Sequence, residues 1–431
     1  MLDGVVGWPP EFAHRYRARG YWAGTTIGQA WDRAAGANAD RVAVVDGARR
    51  VTYRALSALV DRLAVHLALR GVRGGARAIL QLPNTLELVV AYLACLKVGA
   101  IPVPCPPAAP AAEVADLARL TEAAAWFVGD ELRGAGVTRL ADLLADPVEA
   151  RTPPGSLGRL RPRPDDVAVF QLSGGTTGRP RVIPRTHDDY LYGSLQVARA
   201  TDFDGESVLL VAQPAAQHVP LACPGLQGAL LLGARVVLAP APDPETVFPL
   251  VEAERVTWIP AAPAALTAWL EHPGRGRHDW RSLRRLYVGG PGASPGLVSA
   301  AREAFGPVVQ QLYGPAEGCT CATRGSDPAE VSVETHGRPV CPDDEIRIVD
   351  EAGREVPRGQ VGELQCRGPS TIRGYWRAPE DSRGAFTPDG FYRTGDRARL
   401  HPSGSLVIEG SAREVVQGAS ERPKPSWKPL T

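Results

Sequence analysis

The chemistry of this chain is concentrated first in Phe170-Gln-Leu-Ser-Gly-Gly-Thr-Thr-Gly-Arg-Pro-Arg181. An apolar run feeds a turn rich in glycine, hydroxyls and arginine. Glycine lets backbone N–H groups approach an anion closely. Ser173, Thr176 and Thr177 add donors, and Arg179 or Arg181 adds positive charge. Such a set suits a phosphate group. It is not a Walker A loop, because the Gly-Lys-[Ser/Thr] ending is absent. The same composition also suits a plain Gly/Ser/Thr turn. Two stretches further on carry complementary groups. Gln311-Leu-Tyr-Gly-Pro-Ala-Glu-Gly318 offers the aromatic face of Tyr313 and the hard carboxylate oxygens of Glu317. Tyr392-Arg-Thr-Gly-Asp396 offers a carboxylate able to accept two hydroxyl hydrogen bonds. Each has a plainer alternative: a core aromatic, a surface acid, and an aspartate in a turn after glycine.

These groups must be held by elements, and the pattern around them alternates. Ala78–Leu82 is a short apolar run, and Asn84 stands three residues before Glu87 as a capping-box-like start to a helix ending at Gly99. Apolar runs at Val167–Leu172, Ser207–Ala212, Arg235–Leu238, Thr257–Ile259, Arg285–Val288 and Val308–Leu312 read as strands. Helical stretches at Gly225–Leu232, Glu245–Glu254, Pro263–Glu271 and Ser294–Phe305 separate most of them. Buried strands alternating with helices predict an α/β fold with two mostly parallel sheets covered by helices. After about Val331 short strands with turn signals take over, at Glu345–Val349, Gly362–Cys366, Phe391–Thr394 and Ser405–Glu409. They predict a smaller antiparallel β unit. The expected organisation is a core over residues 1–409, divided at 165/166 and 330/331, followed by a tail over 410–431. The tail gathers Lys424 and Lys428 after a chain whose one earlier lysine is Lys97, and it has no helical or strand period. It is expected to be disordered.

Bulk properties exclude several classes. The 431 residues are 44% hydrophobic and 22% charged, a globular balance, and too many for one small core. A net charge of +1 gives no footprint for nucleic acid or an anionic membrane. Seven scattered cysteines without a CxxC pair indicate neither a zinc site nor a disulfide framework. No apolar stretch reaches membrane-spanning length and the N-terminus lacks a signal-peptide pattern, so a cytoplasmic location is expected.

The stretch from Phe170 through Ile183-Pro-Arg-Thr-His-Asp-Asp-Tyr190 resembles the phosphate-loop region of the adenylate-forming superfamily. The Pro-Arg-Thr-His run, with Pro10-Glu-Phe-Ala-His-Arg-Tyr-Arg-Ala-Arg-Gly-Tyr-Trp22, is most similar to stand-alone aryl-acid–AMP ligases of siderophore pathways. The resemblance runs from about Pro10 to about Glu414. It implies an ATP site of Ser173, Gly174, Gly175, Thr176, Thr177, Gly178, Gly290, Pro291, Gln311, Tyr313, Gly314 and Asp396. Tyr313 would stack on adenine, Asp396 would hold the ribose hydroxyls and Glu317 would bind Mg²⁺. Thr176, Thr177, Arg181 and Glu317 would serve the chemical step, with Arg181 where relatives usually carry lysine.

The resemblance also implies an acyl pocket of Gln217, His218, Val219, Cys223, Gly289, Leu312 and Thr320. Amino-acid activators place an aspartate at its head, where this chain has His218; Cys223 stands where dihydroxybenzoate activators have serine. A monohydroxy- or amino-substituted benzoate is therefore expected, with a one-residue slip of the alignment or a core histidine as the plainer readings of His218. The implied reaction is formation of acyl-AMP and pyrophosphate, for loading onto the phosphopantetheine of an aryl or peptidyl carrier protein. The family's C-terminal lid is expected to be absent, with Glu409–Glu414 as a hinge remnant and a lid in trans as a partner. The competing expectations are an acyl-CoA synthetase and a non-catalytic protein that binds ATP or acyl-adenylate.

Overall fold

Nine strands form the largest sheet of the computed structural model, which describes residues 2–129, 138–140, 142, 162–173, 180–290 and 292–411. Its centre is six parallel strands in the order Val309–Tyr313, Arg285–Gly289, Trp258–Ala261, Val208–Val211, Arg235–Leu238 and Val42–Asp46. Antiparallel strands close both margins: Cys321–Ala322 and Arg338–Pro339 on one side, Arg49–Thr52 on the other. The apolar runs read from the sequence are buried on both faces, as parallel strands must be. A second sheet of four parallel strands has the order Ile101–Pro104, Arg77–Gln81, Ala123–Val128, Thr138–Arg139.

The helix Leu86–Val98 buries every residue except Glu87 and Lys97, because it is apolar all round and belongs to the continuous core shared by both sheets. Its N-cap is Thr85 rather than Asn84, with no side-chain cap bond. Asn84 has a longer reach: its amide nitrogen donates to the carbonyls of Gln213 and Ala239, and its oxygen accepts from the Ala215 N–H at 2.9 Å. It therefore ties the second sheet to the loop that leads to His218.

Glu345–Val349, Gly362–Arg367, Tyr392–Leu400 and Leu406–Ser411 form the antiparallel sheet in simple up-and-down order. The run at Val167–Leu172 departs from expectation. It joins neither parallel sheet; Val167–Ser173 and Arg181–Thr186 form their own antiparallel pair. Ser173 lies opposite Arg181, so both ends of the glycine-rich loop are pinned together. The second of these strands leads directly into the helix His187–Ala200. Thr186 and Asp189 form a reciprocal capping box there, the Asp189 Oδ2 accepting from the Thr186 N–H at 2.7 Å. No helix among the described residues is long and apolar enough to cross a membrane.

Candidate active site

The end of the Val167–Ser173 strand presents donors without partners. The Ser173 hydroxyl and the Arg181 Nε–H are both buried and unbonded. Buried donors are nearly always satisfied in a folded protein, so two at facing positions of one strand pair mark a place for an acceptor-rich group. The Arg181 guanidinium lies beside this opening, 4.7 Å from the centre of the Tyr375 ring. Gly174, Gly175, Thr176, Thr177, Gly178 and Pro291 lie outside the described residues.

Tyr313 ends a parallel strand, and Asp396 lies in the Tyr392–Leu400 strand of the antiparallel sheet. The two meet: the Tyr313 hydroxyl donates to Asp396 Oδ2 at 2.7 Å. Burial and the neighbouring carboxylate push the Tyr313 phenol well above its ordinary value, so it remains a donor. Glu317 follows four residues later and is 5% exposed. Its Oε1 accepts from the Tyr375 hydroxyl at 2.9 Å, which fixes the carboxylate near Arg181 through the shared tyrosine. Three stretches far apart in the chain thus converge on one region.

A second group of residues surrounds a small cavity lined by Tyr190, Ser194, His218, Cys223, Thr320 and Arg185. Its free volume is about 10 Å³, room for one water, so a larger occupant enters only as the lining side chains part. Three of the walls form a chain. The Tyr190 hydroxyl is 3.2 Å from His218 Nδ1, and His218 Nε2 is 3.3 Å from Cys223 Sγ. Burial, with Arg185 nearby, pushes the His218 imidazole down to about 3, so it is neutral at physiological pH. Burial pushes the Cys223 thiol up to about 12, so it is a thiol and not a nucleophile.

Arg185 holds this wall. It is 2% exposed and donates to Asp189 Oδ1 at 2.6 Å, to the Ala316 carbonyl at 2.7 Å and to the Ser370 carbonyl at 2.8 Å. Its guanidinium also lies 4.7 Å from the centre of the Tyr190 ring. One planar fork therefore links the helix His187–Ala200, the Glu317 loop and the Ser370 turn.

The family model for AMP-binding enzymes matches residues 31–376. The chain belongs to the AMP-binding enzyme family. It is 43% identical to the salicylyl-CoA synthase/salicylate adenylyltransferase of a Streptomyces species, over 97% of this chain and 81% of that protein. It is 37% identical to the 2,3-dihydroxybenzoate-AMP ligase of Bacillus subtilis (strain 168), over 98% of this chain and 81% of that protein. Among solved structures it is similar to apo MbtA of Mycobacterium smegmatis, with a TM-score of 0.88 and 39% identity, covering 95% of this chain and 80% of the other. The resemblance read from the motifs and the α/β fold class expected from it are both borne out.

Within this AMP-binding enzyme several residues expected at the site stand elsewhere. Gln217 is exposed and makes no cap bond at the start of the helix His218–Ala222. One residue's rotation about a helix start separates it from His218, which does face the cavity. The Gln311 amide nitrogen donates to the Ser332 and Val333 carbonyls, at 3.1 and 2.8 Å, so this side chain fastens a strand to a helix. Leu312 and Val219 pack in or against the main core and do not line the cavity. Gly289 matters for its missing side chain: a Cβ there would lie 2.6 Å from the Leu312 carbonyl oxygen. Gly290 follows with φ +107°, a backbone that favours glycine. Gly314 packs tightly as well, its absent Cβ being 3.3 Å from Leu312 Cδ2.

The sequence reading missed Arg185, Tyr190, Gly193, Ser194 and Val197 as lining residues. A signal existed. Positions 190, 193, 194 and 197 follow helical spacing and share one face of the helix His187–Ala200.

Proposed function

We propose that this chain activates an aryl carboxylic acid, salicylate-like or an amino- or hydroxybenzoate, as its acyl-AMP with release of pyrophosphate. The acyl group would then pass to the phosphopantetheine thiol of a carrier protein in siderophore or nonribosomal peptide biosynthesis. The observation that carries this reading is the neutral Tyr190–His218–Cys223 wall of the cavity beside the Glu317 loop. It offers no free carboxylate for an α-ammonium group, and it offers hydrogen-bonding groups for a ring substituent. The names borne by its relatives, which act on salicylate and 2,3-dihydroxybenzoate, support the same class.

The roles follow from the groups present. Asp396 accepts from the ribose hydroxyls and Tyr313 presents its ring to adenine. The unbonded Ser173 hydroxyl and Arg181 Nε–H receive the phosphates, together with the glycine-rich segment that follows Ser173 in the sequence. The fixed, nearly buried carboxylate of Glu317 fits a hard cation such as Mg²⁺, which would neutralise triphosphate charge when bound. The acid's carboxylate then attacks the α-phosphorus, and pyrophosphate leaves. No covalent enzyme intermediate is needed, so catalysis consists of positioning and charge stabilisation.

ATP–pyrophosphate exchange against a panel of benzoates tests the proposal. Exchange that depends on an ortho-substituted benzoate supports it; nucleotide binding with no acid-dependent exchange overturns it. Asp396→Ala removes a charged acceptor, and such bonds are worth about 1.5–3 kcal/mol. Its ATP dissociation constant, measured by calorimetry, is expected to rise by roughly ten- to a hundredfold. Cys223→Ser supplies a better partner for a second ring hydroxyl. It is expected to improve use of 2,3-dihydroxybenzoate relative to salicylate in the exchange assay, and an unchanged ratio would contradict the pocket assignment.

A further inference from the structure

The cavity wall also has a proton arrangement, and that arrangement selects among ring substituents. His218 is neutral, so one of its ring nitrogens donates and the other accepts. Its two neighbours differ in donor strength. A phenol O–H is a much stronger hydrogen-bond donor than a thiol S–H. Tyr190 stands 3.2 Å from Nδ1, and the Arg185 cation over its ring draws electron density from the phenol and strengthens its O–H further. The favoured arrangement has the Tyr190 O–H donating to Nδ1, which places the imidazole proton on Nε2. On the far side Nε2 meets, among the described residues, Cys223 Sγ at 3.3 Å, and the Thr320 hydroxyl also approaches that sulfur. Sulfur is a weak acceptor, so an oxygen from a bound ring readily replaces it.

Resting on the aryl-acid reading of this cavity, we propose that Tyr190 fixes His218 as an Nε2–H donor toward the ortho position of the ring. The pocket then selects an ortho group that accepts a hydrogen bond over one that only donates. The ligand chemistry makes the distinction sharp. In salicylate the phenol proton turns inward to the ring's own carboxylate, and an oxygen lone pair faces Nε2–H. In anthranilate the nitrogen lone pair is delocalised into the ring. One N–H turns to the carboxylate and the other meets Nε2–H, donor against donor. Leaving a buried donor unsatisfied weakens binding by roughly five- to a hundredfold.

The test is equilibrium binding of salicylate, anthranilate and unsubstituted benzoate to the full chain by calorimetry, repeated on Tyr190→Phe and His218→Asn. The full chain is expected to bind salicylate at least about tenfold more tightly than anthranilate. Tyr190→Phe keeps the imidazole but frees its tautomer, so the preference is expected to fall to within about threefold, mainly through a gain for anthranilate. His218→Asn is expected to do the same, because an amide can turn either its carbonyl or its N–H₂ to the ring; it carries the test alone if Tyr190→Phe does not fold. Equal or tighter binding of anthranilate to the unmodified chain overturns the proposal, as does a salicylate preference unmoved in the variants. Binding of benzoates without ortho preference overturns this inference alone. Binding of none of the three acids overturns the aryl-acid reading with it.

Discussion

Replacing Arg185 by methionine is expected to cost about 3–5 kcal/mol of folding stability. The side chain is buried, ion-paired with Asp189 at 2.6 Å and bonded to the Ala316 and Ser370 carbonyls. Removing it strands a fully buried carboxylate and unbinds two carbonyls. The penalty therefore comes mainly from what is left behind, not from the attraction that is lost. Two further variants separate these contributions. Arg185→Met with Asp189→Asn removes the stranded charge while an amide oxygen still accepts the Thr186 N–H, so part of the stability is expected to return. Arg185→Lys keeps the charge but cannot reproduce a three-way planar fork, so it is expected to remain destabilised. Denaturant midpoints measure all three. A loss below about 1 kcal/mol in Arg185→Met would show that the fork is dispensable.

Asp344 is expected to give the protein an unusual pH dependence. Both of its carboxylate oxygens are buried, and neither has a well-aligned donor. Burial pushes its carboxyl up to about 7, with Asp343 adding repulsion against the opposing Cys341 contacts and the Arg185 charge. In the unfolded chain an aspartate titrates near 4. Below about pH 4 both states hold the proton and the contribution to stability is complete. Between about pH 4 and 7 the unfolded state releases its proton while the folded state retains it, so stability falls as pH rises. The loss reaches about 4 kcal/mol and levels off above the folded value. Asp344→Asn removes this slope. The variant is expected to be more stable than the parent at pH 8 and to lose that advantage at pH 5, and parallel pH profiles would sink the argument. Gly368 shares the constraint, since a Cβ there would stand 1.9 Å from Asp344 Oδ1.

Local patterns were informative where a single element held the whole signal. The apolar runs at Arg235–Leu238 and Glu345–Val349 and the helices at Pro263–Glu271 and Gly225–Leu231 have the bounds, or nearly the bounds, that periodicity and stop signals indicate. Asn84 shows where such reasoning stops. Its spacing to Glu87 fits a capping box, yet its amide serves carbonyls more than a hundred residues away. Gln217 shows the same for the pocket: neighbouring residues at a helix start face different ways, and only the packed helix decides which one is inside.

What the sequence determined by itself is the set of chemical groups and their family: the glycine-rich loop, Tyr313, Glu317 and Asp396, all within short motifs whose residue types already state their chemistry. Tertiary structure decided which of them meet and what surrounds them. The contact of Tyr313 with Asp396, the three-way fork of Arg185 and the Tyr190–His218–Cys223 wall all join side chains from separate elements. No local pattern encodes such contacts. Burial is a property of the packed chain, and burial makes His218 neutral and Asp344 reluctant to ionise.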